Sequence, residues 1–222
     1  MASHLDLEEQ EQLDQLKAFW NQYGNLISWV LILCLGGYAA WNGWNYYLRE
    51  QGSKAGALYD ELDRAAQASN SDTATRIFAD MKERYPRAAF TQQGGLVAAR
   101  VAAEKGQDDA ARAALAWVAE HASESEYRAI ARLRLAGILL DLKHYDEALK
   151  QLDGIDSAEF SGLAADRRGD ILLAEGKSDD AKAAYQKAWS ALDPKLEYRR
   201  VVEAKLNVLG VEPAASGAEM AK

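Results

Sequence analysis

The chain has 222 residues and a net charge of −8, long enough for one membrane helix and a soluble domain of about 160 residues with a core of its own. The first 25 residues carry −4 of that charge, one Lys against five acids, and the remaining −4 shows no basic face. This excludes nucleic-acid binding, because phosphate contacts need clustered Lys and Arg. With Cys34 as the only cysteine, an intramolecular disulfide and a redox pair are excluded too.

Residues 1–24 form a short acidic N-terminal segment, and no charged residue occurs between Lys17 and Arg49. Within that run "NLISWVLILCLGGYAAWNGWNYYL", residues 25–48, exceeds the roughly 20 helical residues that a hydrocarbon core about 30 Å thick requires. A cleaved secretory signal would start basic and end in a small-x-small site. Here the start is acidic, and Trp41, Trp44, Tyr46 and Tyr47 stand where that site would be. Aromatic rings favour the headgroup layer, so Trp20, Tyr23 and Trp29 on one side and Trp41, Trp44, Tyr46 and Tyr47 on the other read as two interfacial belts. The run is therefore expected to be one uncleaved transmembrane helix in contact with the lipid bilayer; the alternative is a buried helix of a soluble core. Lys17 before the span and Arg49 and Lys54 after it faintly favour a cytoplasmic C-terminal side.

From residue 49 to 210 good helix formers dominate and only Pro86 and Pro194 interrupt, so this part is expected to be all-α. Four segments align on Ala74, Ala111, Ala148 and Ala181, spaced 37, 37 and 33 residues apart. Four residues on come Phe78, Leu115, Leu152 and Tyr185, and three further Met81, Val118, Ile155 and Ala188, which is one helix face. Twelve residues before each anchor stand Leu62, Ala99, Ala136 and Gly169, so each repeat is expected to be a pair of helices. Small residues on both helices let the pair approach closely, at Ala74, Ala99, Ala111, Ala136, Ala148, Gly169 and Ala181. Gly176 and Asp179 mark a helix stop and a nearby N-cap in "AEGKSDDAK". The pattern resembles the tetratricopeptide repeat, with Tyr145 in the "YDEA" turn and prolines near the ends of second helices. An irregular helical bundle is the competing reading. "YRRVVEAKLNVLG", residues 198–210, is expected to close the last apolar face, and residues 211–222 to form a disordered tail.

No residue pattern points to catalysis. His4, His121 and His144 lack metal-ligand spacing, and no phosphate-binding glycine frame occurs, so neither metal nor cofactor is expected. Two candidate partner surfaces remain. Gly36, Ala40 and Gly43 make a small-residue stripe on the membrane helix that permits close approach of another helix. The first helices of the repeats carry Tyr59, Asp63, Gln67, Arg100, Glu104, Asp141, Asp166 and Asp170, expected as a mostly acidic concave face suited to a basic or mixed-charge partner.

The acidic start "DLEEQEQLDQLKAFWNQYGN", the span closing in "GYAAWNGWNYYLREQ" and the later "ADRRGDILLAEGKSDDAKAAYQKA" together resemble the ancillary subunits of the SecYEG translocon of Gram-negative bacteria, over nearly the whole chain. The resemblance implies one inner-membrane helix, a cytoplasmic N-terminus and a periplasmic tetratricopeptide-like right-handed superhelix of about four helical hairpins. Its implied partners are the SecYEG channel, a membrane-anchored periplasmic chaperone of the peptidyl-prolyl isomerase type, and newly exported proteins. The implied role is a non-catalytic scaffold. An envelope adaptor in cell division or stress signalling is the alternative.

Overall fold

In the computed structural model, which describes residues 7–212, nine α-helices and no strand occur among the described residues. Residues 1–6, with Asp6 of the acidic start and His4, lie outside them, as does 213–222, most of the expected tail. The chain divides into two compact units, one ending at Glu50 and the other beginning at Gln51. The first is a single helix, the leading part of α1 (Leu7–Gln67).

The second unit takes the final turns of α1 as its first helix. It continues with α2 (Ser71–Arg84), α3 (Ala89–Glu104), α4 (Asp108–His121), α5 (Ser125–Asp141), α6 (Tyr145–Asp153), α7 (Ser161–Ala174), α8 (Ser178–Ala191) and α9 (Arg199–Val208), with a 3-10 turn at Ala158–Phe160 before α7. These are four antiparallel pairs and one unpaired closing helix. Every first helix ends in the same way. A residue in the left-handed region, Ser69, Gly106, Lys143, Gly176 or Gly210, follows it at intervals of 37, 37, 33 and 34 residues. At each end one amide reaches back five residues, as in Asn70 N–H to Ala65 O at 2.9 Å, Lys177 to Leu172 at 2.8 Å and Val211 to Leu206 at 3.0 Å. This double turn satisfies carbonyls that a helix end leaves open. In the four pairs the next residue caps the second helix, its carbonyl accepting from Ala74, Ala111, Ala148 or Ala181. The N-cap of α8 is accordingly Lys177; Asp179 sits in the first turn and accepts from Lys182 at 3.2 Å.

The uneven spacing has several causes. Where it falls to 33 residues, α7 has 14 residues against 16 and 17 in α3 and α5, and α6 has 9 against 14 in α2 and α4, partly offset by a longer link between α6 and α7. Leu62, Ala99, Ala136 and Gly169 keep their face because each precedes its left-handed turn residue by the same distance.

All seven small contact positions are buried. Around Gly169 the packing is close: a Cβ there would stand 2.4 Å from Cε1 of Tyr185, and at Gly95 one would meet Val118 at 2.4 Å and Phe78 at 2.8 Å. One apolar cluster runs from Leu62 through Phe78, Leu115 and Leu139 to Ile171. A second, around Ala165, Tyr185, Leu192, Val202 and Leu206, joins α9 to the last pair. An uncovered pair could not bury this surface alone.

Candidate functional site

In the first unit the 24 residues of 25–48 rise about 36 Å as a helix, enough to cross a hydrocarbon layer about 30 Å thick. The most apolar window has a mean hydropathy of 1.4 and is only 6% buried. Leu31, Ile32, Leu33 and Leu35 are all more than half exposed, a surface that water would penalise and lipid would not. Trp20, Trp29, Trp41, Trp44, Tyr46 and Tyr47 are exposed as well. Phe19 and Tyr23 pair at 5.2 Å and Trp44 and Tyr47 at 5.9 Å, near opposite ends of the run. Ala40 is exposed, and a Cβ at Gly36 or Gly43 would meet nothing within 4 Å, so the small-residue stripe is open.

In the second unit the first helices of successive pairs wall a groove of about 500 Å³ between α3, α5 and α7. Arg100 and Glu104 come from α3, Arg134, Ile138 and Asp141 from α5, and Arg167 from α7. The expectation of a mostly acidic face is corrected here, since three guanidinium groups outnumber two carboxylates. Arg100 and Glu104 approach to 3.6 Å, both more than half exposed, and such a pair is weak. Arg134 donates to the Leu96 carbonyl at 3.3 Å. Desolvation against the wall, and then the charge of Arg100, hold Arg134 below the ordinary arginine value. Arg167 lies over Gly137, its Cζ 3.8 Å from where a Cβ would be, and approaches Asp170 at 3.7 Å.

Toward the N-terminal pairs Tyr59 rests on Phe90 at 5.6 Å, and Gln93 donates to Tyr127 at 2.6 Å. Burial, with Asp63 as the next cause, pushes the Tyr59 hydroxyl up from its usual value. Asp63 accepts from Gln67 at 2.7 Å.

Asp166 and Asp170 are closed off, which the sequence reading did not foresee. Asp166 is 2% exposed and receives the Tyr198 hydroxyl at 2.6 Å and Lys205 at 2.8 Å on both oxygens. Asp170 receives Lys205 at 2.7 Å and the Tyr185 hydroxyl at 2.8 Å. The reason is α9, which lays Lys205 across this part of α7 as its apolar residues Val202 and Leu206 bury. Burial first, then the bonds to Asp170 and Asp166, push the Tyr185 and Tyr198 hydroxyls well above the ordinary tyrosine range. The missed residues left one sequence signal: Arg134 and Arg167 stand nine residues before Lys143 and Gly176, the same place in successive repeats.

No group of three or more His, Cys, Asp or Glu side chains that could hold a metal occurs among the described residues. His121 stacks on Trp117 at 5.0 Å and His144 lies 3.4 Å from Glu147.

Stacked helical pairs with small contact residues, preceded by an apolar exposed helix, define a tetratricopeptide-like protein with one candidate membrane span. The profile of the tetratricopeptide repeat-like domain family matches residues 17–211. Over 94% of its length the chain is 31% identical to the whole of the ancillary SecYEG translocon subunit of Neisseria gonorrhoeae. It is 29% identical to the subunit of that name in Haemophilus influenzae, over 82% of this chain and 89% of that one, and 28% identical to that of Escherichia coli, over 80% and 85%. The chain belongs to this family of ancillary SecYEG translocon subunits. No solved structure matches it.

Proposed function

We propose that the protein is a non-catalytic accessory subunit of the Sec translocon, held in the bacterial inner membrane by residues 25–48. The observation that carries this reading is the match to relatives named for that role, which takes in both the apolar helix and the repeats. The N-terminus faces the cytoplasm and the repeat domain the periplasm, where it links the channel to a membrane-anchored chaperone of the peptidyl-prolyl isomerase type and to newly exported chains. Three flanking cations are too few to oppose that topology. Tethering supplies the gain: a domain on a short tether meets its neighbour at an effective concentration of about millimolar, so weak contacts suffice. The open stripe Gly36, Ala40 and Gly43 is the face offered to the channel's helices, because small residues let backbones approach.

The test is affinity purification from native membranes in mild detergent with a C-terminal tag, scored against an unrelated single-span protein. Co-purification of the Sec channel and an isomerase-type chaperone is expected; division or signalling components in their place overturn the assignment. A reporter active only in the periplasm, fused after Lys222, should be active, and a stable but inactive fusion reverses the topology.

A further inference from the structure

The three arginines between α3, α5 and α7 are poorly neutralised in a chain whose net charge is −8. Arg134 has no carboxylate partner among the described residues; its bond to the Leu96 carbonyl uses one of five guanidinium N–H groups. Arg100 stands near enough for its charge to act on Arg134. Arginine does not relieve such repulsion by losing a proton, whereas an anion between the two groups relieves it. A carboxylate fits, since its two oxygens match the guanidinium fork. The exposed Glu104 at 3.6 Å is a weak competitor for Arg100. At the α7 end Lys205 offsets one of the two charges of Asp166 and Asp170, and Arg167, 3.7 Å from Asp170, faces the other, which limits their repulsion of an incoming acid.

We propose that this groove binds an acidic segment of another polypeptide in extended conformation, with one carboxylate shared by Arg100 and Arg134 and a second held by Arg167. The spacing supports a chain over a free anion. Packed helices lie about 8–10 Å apart, and three residues of an extended polyproline II chain span about 9 Å and return to the same side, so acids at i and i+3 reach successive helices. Ile138 and the exposed Ala103 give the wall apolar surface for the intervening residues, and Asp141 at its rim accepts a main-chain N–H. The groove's volume, about 500 Å³, is that of an ordinary ligand site.

Fluorescence anisotropy with the full chain in detergent micelles tests this, using a labelled Gly/Ser peptide with two glutamates three residues apart and the same peptide with glutamines. The glutamate peptide should bind saturably, more weakly as salt rises, and at least about tenfold tighter than the glutamine peptide. Arg134→Gln and Arg100→Gln should each weaken it about tenfold or more, while Arg134→Lys falls between because it keeps the charge and loses the fork. Lys187→Gln, an exposed cation on α8, should change nothing. Arg134 and Arg100 are exposed, so their variants keep the fold, which circular dichroism checks. Equal affinity for the two peptides, arginine variants that bind like the parent, or no saturation below about 1 mM would each overturn the proposal. None of these readouts depends on the translocon, so they fail or succeed independently of the accessory role.

Discussion

Alanine is expected to have opposite effects at two glycines inside repeat helices, and the contrast tests the packing account directly. At Gly137 the nearest outside atom to a new Cβ is Cζ of Arg167 at 3.8 Å, ordinary contact, so Gly137→Ala should gain about 0.5–1 kcal/mol through helix propensity. At Gly169 the same atom would stand 2.4 Å, 2.5 Å and 2.8 Å from Cε1, Cδ1 and Cζ of Tyr185, against about 3.5–4.0 Å for carbon contact. Tyr185 is 1% exposed and has nowhere to swing. Overpacking costs about 1–3 kcal/mol, and pulling its hydroxyl from Asp170 costs about 1.5–3 more. After about 1 kcal/mol of propensity is returned, Gly169→Ala should destabilise by about 3 kcal/mol. Urea unfolding of the full chain in mild detergent, followed by circular dichroism, measures both variants. Gly169→Ala within about 0.5 kcal/mol of Gly137→Ala would refute the close-contact reasoning.

The turn geometry predicts that Lys143→Gly, at φ +60°, stabilises by about 0.5–1 kcal/mol while Gly176→Ala, at φ +86°, destabilises by about 1–2 kcal/mol; thermal midpoints of the pair read this. Lys205→Met strands Asp166, and should cost about 3 kcal/mol, the low end for a broken buried pair because Tyr198 still donates to it; adding Asp166→Leu should recover most of the loss in the same urea assay. Stability should fall at alkaline pH. Tyr185 holds its proton in the folded chain above the pH at which the unfolded chain releases it. Its contribution is therefore complete below about pH 10 and declines by about 1.4 kcal/mol per pH unit above it; Tyr185→Phe should remove that share of the slope and leave the share of Tyr198.

The helical pairs were legible because close packing leaves a strict mark: only a small side chain fits where two helices touch, so Ala74, Ala111, Ala148 and Ala181 advertise the contact. The apolar run was equally plain. The charge of the groove was not. Arg134 and Arg167 are exposed or half-buried and ordinary in composition, and only their shared place in the repeat gives them meaning. Asp166 and Asp170 look open in the sequence because nothing local records that Lys205, 35 or more residues away, folds back onto them. The recurring turn was half hidden, since Ser69 and Lys143 adopt a backbone that glycine usually marks.

The double-bonded turn after each first helix also decides where this chain can change length. Each first helix is locked at its C-terminal end, and the additional residues of α3 and α5 lie ahead of the small residues, which keep their distance from that turn. Insertions near the start of a first helix should then be absorbed by lengthening it, whereas one or two residues inserted between a small residue and its turn rotate the contact face by roughly 100° or 200° and bring polar side chains against the neighbour. Length variation in this architecture is thereby confined to the stretches ahead of the small residues, and the unpaired α9, whose outer face includes the exposed Val201 and Val208, is the end from which the array can grow.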